Sequence, residues 1–285
     1  MRLISMALIA LITFTNCEEN TRSFSASEIA VLPKPTTLEL NEGSFAIKDG
    51  QQIFADLKEQ QNAATDLQAY ISKTTDFKSS LVKSYGASIS FEQNEDLGPE
   101  AYELIVSPKK ISILANDAAG YFYGVQTLKQ LVSAETAENS QAITYLVPSV
   151  RIQDQPRFKW RAFLLDDARY FHGEAFANQM IDQMALLKMN TLQWHLTDDA
   201  GWRIEIKKYP LLTEVGGFRA DSEIGTWKSG KRSGEPHGGF YTQEQIKDIV
   251  AYAAARNITV VPEFEMPCQR CHCGLYVVGN CWCGY

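Results

Sequence analysis

The chain has 285 residues, 45% of them hydrophobic and 21% charged, enough for two domains of ordinary globular composition. Its net charge of −7 and the absence of any Lys/Arg stripe exclude a nucleic-acid footprint. Beyond the first residues no apolar run reaches the 18 or more needed to span a membrane.

Met1-Arg2 and the apolar run 3–14 predict an export signal. Thr15-Asn16-Cys17 follows it, as a loose lipoprotein box with Cys17 as the lipidated residue. Residues 18–30 are polar and aperiodic, a tether. The expected location is therefore the periplasm or, through Cys17, the outer membrane of a bacterium.

Pro33-Lys-Pro35 opens the first folded unit, expected over residues 31–150. Residues 57–72 carry Ala64, Leu67, Tyr70 and Ile71 at a helical period. Residues 102–106 and 111–115 are β-rich and joined by Ser107-Pro-Lys-Lys110, a hairpin signal. Asp117 sits at an N-cap position before a helix whose inner face is Val125, Leu128, Leu131 and Val132. The reading is a small α+β domain that ends near Pro148.

From Pro156 strands and helices alternate. A strand over 162–165 leads to Asp166-Asp167-Ala-Arg169, then a helix with Phe176, Met180, Ile181, Met184 and Leu187 on one face. A strand over 191–196 runs into His195, Asp198 and Asp199. After a Gly-rich insertion, Thr242-Gln-Glu-Gln245 is a capping box for a helix with Ile246, Ile249, Val250 and Ala253 facing in. A strand over 258–261 ends in Pro262-Glu263-Phe264-Glu265. Three βα-type units with near-continuous apolar strands predict an α/β fold, the opening of a (β/α)8 barrel over residues 151–267. Such folds place chemistry at the carboxyl ends of their strands, where the acidic residues lie.

Four segments, in this order, resemble the exo-acting β-N-acetylhexosaminidases of glycoside hydrolase family 20. They are Trp160-Arg-Ala-Phe-Leu-Leu-Asp-Asp-Ala-Arg-Tyr-Phe171, residues 190–206, Gly238-Gly-Phe-Tyr-Thr-Gln-Glu-Gln245 and Val260-Val-Pro-Glu-Phe-Glu-Met-Pro267. The resemblance implies a retaining exo-glycosidase without a cofactor. Its substrate would be an oligosaccharide ending in β-linked N-acetylglucosamine or N-acetylgalactosamine, whose own acetamido oxygen is the nucleophile. It further implies that Arg169 holds sugar hydroxyls and that Asp198 pairs with a third-strand His that tunes the general acid; His195, being inside a strand, is read from its position as a supporting residue under the substrate-binding pocket. From the residues alone, Arg169 pairing with Asp166 or Asp167 is the plainer reading, and Glu263 and Glu265 line the pocket or pair with Arg203.

The pattern breaks after Pro267. The family's Gly-His is replaced by Cys268-Gln269, and its Asp-Glu pair belongs to a fourth strand that the sequence does not reach. Cys268, Cys271, Cys273, Cys281 and Cys283 crowd residues 268–285. Back-translated and read one nucleotide later, this tail permits Ala-Ala-Tyr and neighbouring residues that resemble the family again. The expectation is an out-of-frame tail on an inactive fragment. Alternatives are a non-catalytic carbohydrate-binding remnant, and a metal or disulfide module in which His272 joins the cysteines.

Overall fold

The computed structural model describes residues 22–84, 86–136, 143–226 and 229–265; the export segment, Cys17 and the Cys-rich tail lie outside them. Among the described residues no helix is long and apolar enough to cross a membrane.

The first unit contains β1 (Thr37–Ile47), β2 (Gln51–Phe54), α1 (Gln61–Thr75), β3 (Ser79–Val82), β4 (Ile89–Gln93) and β5 (Tyr102–Val106). It continues with β6 (Ile111–Ala115), α2 (Ala118–Leu131), β7 (Ser133–Thr136) and β8 (Ile143–Asp154). Its mixed sheet has the order β1-β8-β5-β6-β4-β2-β3, with β7 also paired to β8. The hairpin over Ser107 and Lys110 forms as expected, joining β5 antiparallel to β6. Asp117 caps α2 by accepting from the Gly120 N–H at 2.7 Å, and Val125, Leu128 and Leu131 are buried beneath it.

Two boundaries differ from expectation. The α1 helix starts at Gln61, because Gln60 folds its side-chain oxygen back onto the N–H groups of Asp56 and Leu57 at 3.0 and 3.1 Å. The expected domain limit at residue 150 falls inside β8, which runs through Pro148 to Asp154. Proline donates nothing to a ladder and is tolerated in strands at bulges. Here β1 bulges between Leu40 and Ser44, directly beside the Ser44–Pro148 pair.

The second unit contains β9 (Ala162–Asp166), α3 (Glu174–Leu186), β10 (Thr191–Asp198), β11 (Gly201–Trp202) and α4 (Leu211–Glu214). The remainder is β12 (Phe218–Arg219), β13 (His237–Gly238), α5 (Gln243–Ala254) and β14 (Thr259–Phe264). β10 is central, with β9 and β14 parallel on either side, and β11 folds back antiparallel on its end. Parallel neighbours require crossovers, which α3 and α5 supply. Leu165, Leu192, Trp194 and Leu196 are buried in one cluster with Ile181, Met184, Ile249 and Ala253.

Leu187 and Val250, both expected to face inward, are 41% and 42% exposed. Leu187 is already past the end of α3, where Lys188 turns the chain with φ +59°. On α5 only the narrower stripe of Ile249 and Ala253 is fully covered. The capping box stands as read, with Thr242 Oγ1 accepting from the Gln245 N–H and Gln245 Oε1 from the Thr242 N–H.

The two units meet at a polar seam. Lys188 Nζ is buried and reaches Asp154 at 3.0 Å and the Tyr102 hydroxyl at 2.8 Å. Burial lowers the Lys188 pKa, with Asp154 opposing it. Beside it Arg161 grips Glu100 through two bonds of 3.0 and 3.1 Å and donates to the Tyr123 hydroxyl at 3.0 Å. A buried charge that lost such partners would cost several kcal/mol, about 3–5. The seam therefore fixes β9, and with it the second sheet, against the first.

Candidate functional site

Parallel register brings Asp166, His195 and Glu263 into one row across the carboxyl ends of β9, β10 and β14. Burial alone does not explain placing two carboxylates and an imidazole there, because each must be hydrated or paired. Each is paired. His195, buried, lies with Nδ1 3.2 Å from Asp166 Oδ1 and Nε2 3.1 Å from the Thr197 carbonyl oxygen, while Glu265 is 3.9 Å away. Glu263 accepts from Gln193 Nε2 at 2.6 Å.

Arg169 leaves β9 three residues after Asp166 and turns back over this row. Its Nη1 donates to Asp166 Oδ2 at 2.9 Å, and its Nε lies 2.9 Å from Asp198 Oδ2. The Asp198 side chain is 7% exposed, whereas that of Arg169 remains 66% exposed. A guanidinium carries five donors in a fixed plane. Two are committed to carboxylates at the base, and the exposed edge is held towards solvent at a defined angle.

Asp198 and Asp199 divide their acidity. Burial pushes the Asp198 carboxyl up, but hydrogen bonding from Asp199 and the charges of Arg169 and His195 outweigh it and hold it below the usual carboxylate range. Asp199 is raised, by its hydrogen bond to Asp198, by burial and by Asp198's charge. Asp198 therefore carries the negative charge opposite Arg169.

A second set of residues holds this loop from behind. Asp167 is fully buried, and its carboxylate accepts from Trp194 Nε1 at 2.7 Å, Tyr241 Oη at 2.8 Å, His172 N at 3.0 Å and His172 Nδ1 at 2.9 Å. Burial and the Asp167 charge raise the Tyr241 hydroxyl far above its ordinary value. His237 Nε2 accepts from the Phe171 N–H at 2.9 Å, and its ring stacks on Tyr170 at 3.8 Å. Gly239, at φ +143°, lets the Phe171 ring approach within 2.2 Å of where a Cβ would sit.

Of the predicted residues, Arg169, Asp198 and His195 come together, linked through Asp166. Asp198 lies 2.9 Å from Arg169 Nε; the third-strand position at which its histidine partner was expected, after Pro267, lies outside the described residues. Arg169 takes Asp166 as partner; Asp167 points into the interior. Glu263 faces Gln193, and Arg203 turns to main-chain carbonyls. Sequence reasoning gave no role to His172, Tyr241 and His237 and missed the hub formed by Asp167. The usable signal was the doubled acid Asp166-Asp167 after a strand, since only one of two adjacent carboxylates can face the same side.

His195, Glu263 and Glu265 offer three potential metal-ligating atoms within 4.8 Å of one another. The donor set does not fit a cation well: both imidazole nitrogens face other partners, and Glu263 is engaged by Gln193.

Residues 158–277 match the catalytic-domain model of glycosyl hydrolase family 20, and residues 28–155 match the model of that family's domain 2. The beta-hexosaminidase of Vibrio furnissii is 40% identical over 242 residues, covering 85% of this chain and 38% of that protein. The Porphyromonas gingivalis beta-hexosaminidase is 36% identical over 270 residues, 91% of this chain and 34% of the relative. The chain thus spans between 34% and 38% of the length of these relatives. Among solved structures, the exo β-N-acetylglucosaminidase of Vibrio harveyi in complex with N-acetylglucosamine superposes with a TM-score of 0.73 at 36% identity. The match covers 83% of this chain and 36% of that one. The Streptomyces plicatus N-acetyl-β-hexosaminidase in complex with Thio-NAglucal gives 0.69 at 33% identity, covering 83% and 46%.

Proposed function

The chain belongs to glycosyl hydrolase family 20, and from that premise we propose that it supplies the sugar-holding part of an exo-acting β-N-acetylhexosaminidase. The substrate is an oligosaccharide with a terminal, non-reducing β-linked N-acetylhexosamine. The observation that carries this reading is the exposed Arg169 guanidinium anchored by two carboxylates at the carboxyl ends of parallel strands. Such a fork presents paired donors to vicinal sugar hydroxyls at little further loss of side-chain freedom. We read β9, β10 and β14 as the first three strands of a barrel, and the unit before the seam at residues 155–161 as the family's accessory α+β domain.

In this scheme hydrolysis retains configuration. The substrate's acetamido oxygen attacks the anomeric carbon, the leaving oxygen takes a proton from a general acid, and water opens the cyclic intermediate. The described residues do the holding: Arg169 binds hydroxyls, Asp166 and Asp198 aim it, and His195 braces Asp166. The general acid is not assigned to any of them. Export, with lipid attachment at Cys17, fits an enzyme that meets polymeric glycans outside the cytoplasm.

The test uses a repaired protein that joins residues 1–267 of this sequence to the remaining length its relatives carry. Arg169→Ala should reduce hydrolysis of a nitrophenyl β-N-acetylglucosaminide by roughly a hundredfold or more, the equivalent of about 3 kcal/mol for a lost charge-assisted contact. A loss smaller than about threefold would refute the role given to Arg169.

A further inference from the structure

Among the described residues, Arg203 is the largest charged side chain in the fully buried interior, at 0% exposure. Its Nε donates to the carbonyls of Asp167 and Ala168 at 3.1 and 3.2 Å. Its Nη2 reaches Ala168 again at 3.1 Å and Ala200 at 3.4 Å, and its Nη1 reaches Gly217 at 2.6 Å and Gly239 at 3.1 Å. These carbonyls come from four stretches of chain: the β9 loop, the β10–β11 turn, the segment after α4 and the segment before α5.

Arg203's own main chain is fixed, its N–H bonded to the Leu196 carbonyl and its carbonyl accepting from Tyr241 N–H. Two neighbours are shaped around the guanidinium. A Cβ on Gly201 would sit 2.2 Å from its Cζ and Nη2, and the Phe171 ring lies 5.9 Å away over its face. Burying a guanidinium costs several kcal/mol, and an apolar residue would fill the space without that cost. What an apolar residue cannot do is aim five carbonyls.

We propose that Arg203 is a positioning residue for Arg169, fixing through the Asp167 and Ala168 carbonyls the main chain from which Arg169 reaches Asp198. Ala168 directly precedes Arg169, and the Arg169 side chain is too exposed for packing to hold it. Its direction is therefore set by that main chain and by the carboxylates of Asp166 and Asp198. The N–H side of that main chain is held by the His195 carbonyl, at 3.1 Å from Asp167 N and 3.0 Å from Ala168 N, and by Asp166 Oδ1, at 3.1 Å from Arg169 N; Arg203 holds the carbonyl side and so sets the angle at which Arg169 meets Asp198. The inference deepens the hydroxyl-binding role proposed for Arg169 and depends on that reading for its consequence in binding, though not for its geometry.

The test follows the Asp198 carboxyl by NMR titration in the full chain, with selectively labelled aspartate and no sugar present. Asp198 is shifted by burial, by hydrogen bonds from Asp199 and by the charges of Arg169 and His195, so loss of the 2.9 Å Arg169 contact moves its midpoint upward while the other influences stay in place. Arg169→Gln sets the reference, an upward displacement of the Asp198 midpoint. Arg203→Lys keeps the charge but loses the planar fork, and Arg203→Met fills the space with no donor for the carbonyls. Either variant, if folded, should displace the Asp198 midpoint in the same direction as Arg169→Gln, with the signals of the first unit unchanged.

A folded variant whose Asp198 titrates as in the wild type would overturn the proposal. So would loss of all spectral dispersion in both variants, since that would make Arg203 a general packing element. Because no sugar is used, a chain that shows the displaced midpoints yet binds no N-acetylglucosamine would count against the proposed function and leave this inference standing.

Discussion

Replacing Asp167 by Ala removes the acceptor for four donors at once, two of them on Trp194 and Tyr241, which are themselves buried. A hydrogen bond to a charged group contributes about 1.5–3 kcal/mol, and a buried donor left without a partner costs about 1–3 kcal/mol. His172 is partly exposed and recovers water, so the side chains of Trp194 and Tyr241 carry most of the loss. The expected destabilisation is about 3–5 kcal/mol, a large share of the roughly 5–15 kcal/mol that holds a domain together.

Asp167→Asn tests the same account more finely. If the amide oxygen faces Trp194 and Tyr241, its NH2 opposes the His172 N–H. The His172 ring can change tautomer to accept, but the main-chain N–H cannot. The loss should be intermediate, about 1–3 kcal/mol. Urea unfolding followed by tryptophan fluorescence measures both, since Trp194 reports on the site. Lys247→Ala, which breaks an exposed pair with Glu244, is the control and should change stability by less than about 0.5 kcal/mol. An Asp167→Ala loss below about 1 kcal/mol would refute the hub.

Lys188→Ala removes one side of the buried seam pair with Asp154. It should cost about 3 kcal/mol and split calorimetric unfolding into two transitions; a single unshifted transition would show that the seam does not couple the units. His237 accepts the Phe171 N–H, and its pKa is lowered by burial first and then by Arg219, Arg203 and His172. A depressed imidazole binds its proton more readily when unfolded. Its contribution is therefore complete above the ordinary value of 6.5 and is lost as pH falls from there towards the lower folded pKa. Melting temperature measured between about pH 7 and 5 should fall less steeply in His237→Gln than in the wild type, and parallel slopes would count against the assignment. Thr242→Ala, at the N-cap of α5, should cost about 1 kcal/mol in urea unfolding, and no measurable change would show that the capping box is redundant.

Much of the framework was legible because it follows short-range rules. The hairpin turn at Ser107 and Lys110, the cap at Asp117 and the box at Thr242 each satisfy main-chain donors within a few residues, so local spelling determines them. The three parallel strands of the second unit, β9, β10 and β14, were visible as apolar runs, and the acids at their ends marked the candidate site. Partner choice was not legible. Whether Asp166 or Asp167 meets Arg169 depends on strand register and on Trp194 and Tyr241, the second of which lies 74 residues away in sequence. Arg203 looked like a partner for Glu263 or Glu265; its carbonyl partners arrive from loops whose paths no periodicity encodes. The end of β8 was hidden by Pro148, which reads as a breaker until the bulge in β1 is seen.

The most direct test of the central claim is calorimetric binding of an oligosaccharide with a terminal β-N-acetylglucosamine to the chain and to two Arg169 variants. The account predicts measurable binding to the wild type and at least about a tenfold loss in Arg169→Ala, a difference of about 1.4 kcal/mol. Arg169→Lys should lose nearly as much, because an ammonium cannot span Asp166 and Asp198 while presenting a planar edge. Equal affinity in all three proteins, with the fold intact, would contradict it.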